Sequence, residues 1–250
     1  MSLRTVARRS LPAAAVAVTL AAGTAHAQSY AGTLTYSGQA TNASLNNIGT
    51  GPGAGTLTVN ALPGQSFSVT TFCVDYLNMV STGDTYAVNV TALGTGFNPQ
   101  QTTAATRHPG MLTDYKKAAF LTDQFATFAG AGNRNAVWAG IQTAIWNLLG
   151  NAAAAPDVAG DASSNLSTAY WLGEAESFRT SGRIDGYDYS RFYVLTDARS
   201  AGVADDNYKQ ELLGVMPSAV VPEPTSVVLV AAGLLATAGA AARRRREVAA

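Results

Sequence analysis

Ser66-Phe67-Ser68-Val69-Thr70-Thr71-Phe72-Cys73-Val74-Asp75-Tyr76 alternates along its length, with Phe67, Val69, Thr71 and Cys73 on one face and Ser68, Thr70, Phe72, Val74 and Tyr76 on the other. Successive side chains of a strand point to opposite faces, so this period of two predicts a β-strand. Cys73 falls late in it, just before a turn. The same alternation appears in Gly32–Tyr36, Thr56–Val59 and Tyr86–Val90, separated by turn formers such as Gly51-Pro52-Gly53 and Thr82-Gly83-Asp84. Residues 28–95 therefore read as antiparallel β-sheet.

From Thr113 the period changes to that of a helix, over Asp114–Phe128 and, after Gly130-Ala131-Gly132, over Arg134–Leu149. Asn133 is a candidate N-cap and Gly150 a candidate stop. Trp138, Gln142, Ile145, Trp146 and Leu149 share one face of the second helix, which sets Gln142 in an apolar stripe. Burying an unpartnered amide costs about 1 to 3 kcal/mol, so Gln142 needs either an edge position beside a backbone group or a specific partner. A mobile connection over 151–160 and returning strands in 190–216 complete the reading. The expected fold class is α+β: an antiparallel β-rich subdomain (28–95) packed against a small helical subdomain (112–180), plus a C-terminal transmembrane sorting helix.

The ends carry addresses. Arg4, Arg8 and Arg9 precede the apolar run Leu11–Ala22 and the small-residue site Ala25-His26-Ala27, which predicts a signal peptide over 1–27 and export, by the general route rather than the twin-arginine one. At the other end, Pro222-Glu223-Pro224 precedes the apolar run Ser226–Ala242, and Arg243, Arg244, Arg245 and Arg246 follow at once. That run is at the short end of what spans a bilayer, and the arginines should stay cytoplasmic. The order Pro-Glu-Pro, apolar helix, arginine cluster over 221–250 resembles the PEP-CTERM sorting signal of Gram-negative bacteria. The resemblance implies exosortase as a partner, anchoring in the inner membrane before processing, cleavage near Pro222–Pro224, and delivery to the cell surface or an exopolysaccharide matrix.

Between the two addresses, Gln28–Pro224 holds nine Lys and Arg against fifteen Asp and Glu, although the whole chain is balanced. An acidic, sparsely charged domain argues against nucleic acid or anionic lipid as a partner. Cys73 is the one cysteine of the chain. An exported protein cannot pair it internally, so the thiol is idle, joined to another chain, or used in chemistry.

Phe72-Cys73-Val74-Asp75 and Ile141-Gln142-Thr143-Ala144-Ile145-Trp146 resemble the aromatic-Cys-Ile-Asp and Thr-Gln-x-Ala-Ile-Trp stretches of the thioester domains of bacterial surface adhesins. Tyr115–Leu121 resembles the helix that precedes the glutamine helix there. Ile141 departs from the family's threonine. The resemblance implies a β-rich subdomain against a helical one, with a Cys73–Gln142 thioester at their junction for covalent attachment to an exopolysaccharide or surface macromolecule bearing an amine or hydroxyl. Asp75, Trp138 and Trp146 would surround it, with Asp75 in an ordinary turn role or orienting a neighbour.

Two rivals remain. A cysteine hydrolase would pair Cys73 with His108, which sits in an expected surface turn. A passive carbohydrate-binding or exopolysaccharide-associated module would use Tyr170, Trp171, Tyr187, Tyr189, Phe192 and Tyr193, which serve a core equally well. Asp185, Asp188, Asp205 and Asp206 match no complete calcium loop, and no metal or cofactor is expected. The expected protein is not an enzyme.

Overall fold

In the computed structural model, residues 29–39, 44–45, 48–60, 62, 64–94, 105–151, 156–160, 162–203 and 207–216 are described. The strands are β1 (Ser29–Gln39), β2 (Ser44–Leu45), β3 (Ile48–Gly49), β4 (Gly53–Val59), β5 (Ser66–Cys73), β6 (Thr85–Ala92), β7 (Phe192–Asp197) and β8 (Leu212–Val215). The helices are α1 (Leu112–Thr127), α2 (Arg134–Trp146) and α3 (Thr168–Thr180).

Six strands close into an antiparallel barrel in the order β1-β4-β5-β8-β7-β6, while β2 and β3 form a separate ladder. The antiparallel sheet and the returning strands expected from the sequence are present, and the sheet closes on itself. The returning strands do it: β7 pairs with β6 (Val90↔Leu195), and β8 fills the gap between β5 and β7 (Cys73↔Leu212, Leu195↔Leu212). Closing the sheet removes the two edges that would otherwise expose unpaired backbone groups.

The alternation read in β5 sorts its side chains into two cores. Val69 points into the barrel with Leu34, Leu57, Val88, Leu195 and Leu212, and Cys73 packs at the end of this cluster. Phe72 points outward, with Leu213, Val194 and Phe192, into a second core shared with the three helices. Fully burying one such side chain is worth about 1.5–3 kcal/mol, so the outer core ties the helical layer to one side of the barrel. Elsewhere the outer wall faces solvent, as at Thr33 and Thr56.

Helix α2 lies at the centre of that layer and differs from its sequence reading. Every residue from Val137 to Trp146 is buried, so the helix has no polar side and the one-face stripe does not describe it. The small residues permit this: a Cβ on Gly140 would lie 2.8 Å from the Leu166 carbonyl oxygen and 3.1 Å from the Trp171 ring, so the chain leading into α3 seats directly on the α2 backbone. Asn133 precedes α2 without a side-chain cap; its carbonyl accepts from Ala136 and Val137 instead. After Trp146 the helix widens into a π-type turn, Asn147–Asn151, and Gly150 ends it at φ +85°, a conformation glycine adopts without strain.

Among the described residues no helix is long and apolar enough to cross a membrane. The expected signal peptide and the expected sorting helix lie outside the described residues, as do Pro222, Glu223, Pro224 and Arg243 to Arg246.

Candidate functional site

Cys73 is the last residue of β5, and the chain turns immediately after it through Asp75-Tyr76-Leu77-Asn78. Asp75 holds that turn. Its Oδ1 accepts from the Leu77 amide at 3.1 Å and its Oδ2 from Asn78 Nδ2 at 2.5 Å. The turn role is thus the one Asp75 performs, but the sequence did not disclose its second duty, a buried ion pair with Arg107. Arg107 also donates to the Lys209 carbonyl at 2.8 Å, and its own amide donates to Glu211 Oε1 at 2.8 Å.

Glu211 is fully buried and accepts further from Thr196 at 2.6 Å and from the Tyr115 hydroxyl at 2.5 Å. Burial outweighs these bonds and pushes its carboxyl above the usual range. Together Asp75, Arg107 and Glu211 fasten the turn after Cys73 to the segment that enters β8. Removing one partner from such a buried pair typically costs about 3–5 kcal/mol, because the other is left as an uncompensated charge.

Gln142 is completely buried and reaches the same spot from α2. Its Nε2 donates to the main-chain carbonyl of Cys73 at 2.6 Å, while its Oε1 has no hydrogen-bond partner among the described residues. A second carboxamide, Gln210, was not singled out in the sequence. The Cys73 thiol donates to Gln210 Oε1 at 3.1 Å, and Gln210 Nε2 donates to the Asp75 carbonyl. The cysteine thus stands between two glutamines, one bonded to its backbone and one to its sulfur. One polar residue within the run Lys209-Gln210-Glu211 ahead of a short strand gives no sequence signal for this.

Trp146, one turn beyond Gln142, lines a cleft of about 810 Å³ together with Cys73, Tyr36, Tyr76, Gln210 and Ser81. The Tyr76 and Trp146 rings pack with centroids 5.0 Å apart. Trp138 does not join them. Its indole donates to the Phe125 carbonyl at 3.0 Å and its ring packs on Phe125, so it belongs to the helical core rather than to the surroundings of the cysteine.

The electrostatics keep the sulfur neutral. Although Cys73 is partly exposed at the cleft, burial of the thiol pushes it up to about 12. Burial, and then Cys73 itself, pushes Tyr36 up to about 12 as well, and Tyr86 rises for the same two reasons. An anion forming here would find phenols and amides around it, and none of the described residues lining the cleft is a cation.

The expected surface turn at His108 is half-buried, and burial together with neighbouring Arg107 pushes the imidazole down to about 4. Its Nε2 has no hydrogen-bond partner among the described residues, and the Cys73 thiol donates to Gln210, so the thiol–imidazole pair of a cysteine hydrolase is not formed. Of the aromatics that a passive module would use, Trp171, Tyr189, Phe192 and Tyr193 are buried in the core, as the core reading has them. Tyr187 packs between Phe178 and Tyr189. Asp188 accepts from the Ser190 amide at 2.9 Å, a turn contact, and Asp205 and Asp206 lie outside the described residues.

No curated protein and no solved structure is significantly similar to the chain. Residues 220–246 match the family model of the PEP-CTERM protein-sorting motif, which indicates export and exosortase-dependent, membrane-anchored sorting of this protein toward the cell surface.

Proposed function

We propose that this sorted surface protein carries an internal thioester between Cys73 and Gln142, and uses it once to bond covalently to a nucleophile on a surface or matrix macromolecule. The observation that carries the reading is the 2.6 Å contact from Gln142 Nε2 to the Cys73 carbonyl, which joins the strand and the helix at the two residues that the chemistry requires. The apolar barrel cluster against which Cys73 packs and the cleft beside it support the reading further.

In the forming step the Cys73 sulfur adds to Gln142 Cδ, the Cδ–Nε2 bond breaks, and the thiol proton leaves with the nitrogen as ammonia. A carboxamide anchored on the cysteine's own backbone carbonyl keeps the encounter intramolecular, which is where most of the acceleration of such a reaction comes from. A thiol held near 12 is ionised only about once in 10⁵ molecules at neutral pH, but a strongly basic thiolate is intrinsically the better nucleophile. Once formed, the thioester places no charge beside the barrel core. An amine or hydroxyl entering by the cleft then takes the acyl group and frees the thiol. The reaction consumes the protein and does not turn over.

Intact mass of freshly purified protein tests this. The expected result is a deficit of one ammonia that is restored in Cys73→Ala, with a methylamine adduct mapped to Gln142 in the wild type. Alkylation belongs after unfolding, because the native thiol would resist it even when free. Full mass together with an alkylatable Cys73 in the unfolded chain would sink the proposal.

A further inference from the structure

Trp146 and Gln142 stand four residues apart on α2, so their side chains are neighbours on one face of the helix. Helical side chains lean toward the N-terminus, so the turn on the N-terminal side of Trp146 is the one that holds Gln142. Each has one buried polar atom without a partner among the described residues: the acceptor Gln142 Oε1 and the donor Trp146 Nε1. Leaving such an atom unsatisfied is costly, and here the two are complementary.

The other tryptophans show that the vacancy is specific to this position. Trp138 donates to the Phe125 carbonyl at 3.0 Å, and Trp171 donates to the Asn165 carbonyl at 2.8 Å. Trp146 is the tryptophan that lines the cleft beside Cys73, where the Tyr76 ring packs against it.

We propose that the Trp146 indole N–H is the oxyanion donor of the Cys73–Gln142 reaction, bonding to Gln142 Oε1 when sulfur adds to Cδ. This rests on the thioester reading above. On addition the carbonyl π pair moves onto Oε1, which becomes the negative atom of the tetrahedral intermediate. A donor held ready there is worth most in a water-poor site. The charge returns to the carbonyl as ammonia leaves, and the same atom is charged again when an outside nucleophile attacks the thioester. One indole would therefore serve both the formation and the discharge of the bond. Gln210, an acceptor for the thiol proton, would orient the sulfur without touching the oxyanion.

The test uses the full mature protein. Treating the thioester form with ammonia regenerates Gln142 and the thiol. After the ammonia is removed, re-formation is followed by intact mass and thiol titration, and discharge is followed with methylamine. Trp146→Phe is expected to slow both directions by about 100-fold, the usual scale for loss of one oxyanion donor. Benzothienylalanine at position 146, which replaces the N–H by sulfur at nearly constant shape, should do the same if the phenylalanine variant folds poorly. Trp138→Phe, whose N–H is already committed, should leave both rates within a few-fold of wild type. Wild-type rates in the benzothienyl variant would overturn the role of Trp146 while leaving the thioester intact. A wild-type chain with no ammonia deficit would overturn both.

Discussion

Cys73 and His108 are displaced from their ordinary protonation in opposite directions by the same cause, burial. For His108 the consequence is a stability change with a definite sign. The folded imidazole sits near 4 and the unfolded one near 6.5, so between those values the unfolded chain binds the proton that the native one refuses. The contribution of His108 is therefore present above about pH 6.5 and is lost as pH falls toward 4. Glu211, raised in the fold, acts with the reverse sign, losing its contribution as pH rises above 4.5. Thermal melts should show His108→Gln declining less than wild type between pH 6.5 and 4; parallel declines would refute the assignment. At this scale Cys73 and Gln142 were legible as unusual residues, one a lone thiol and the other a polar group in an apolar helix. Gln210 was not, because its meaning lies in what stands opposite it.

Among the elements, α2 has the most demanding environment, since barrel, α1 and α3 leave it no solvent face. Its sequence reads as one apolar stripe with Gln142 set in it, yet Thr143 is buried as well and spends its polarity internally. Thr143 donates to the Ala139 carbonyl at 2.9 Å and pairs with Thr168 at 2.7 Å. Gly140 is the close-approach point, and any Cβ there must displace the Leu166 backbone. Gly140→Ala should gain the usual helix-propensity advantage yet lose about 1–3 kcal/mol overall from overpacking, measured by denaturant unfolding. A net stabilisation would mean that the contact with the α3 entrance is loose. The positions of α1 and α2 were legible within a few residues from periodicity, whereas α3 was not placed by it; the burial of all sides of α2 was not legible either, because small residues look alike whether they face solvent or another backbone.

At the scale of the whole molecule, the sorting signal is separate from the barrel in sequence, so its loss should change location without changing the fold. Replacing Pro222, Glu223 and Pro224 together by Ala should leave the chain unprocessed in the membrane fraction, read by fractionation and immunoblot, with the thermal stability of the barrel domain unaffected. Processing at the wild-type level would contradict recognition of that motif. Sequence alone determined the sorting motif, the strand-then-helix order and the two faces of β5, because each is written in residues close together along the chain. Closure of the barrel by β7 and β8 was decided by tertiary structure. So was the meeting of Cys73 with Gln142 across 69 residues and with Gln210 across 137. Periodicity fixes which way a side chain points, whereas the identity of its neighbour depends on which distant surfaces bury each other, and that is settled only when the whole core packs.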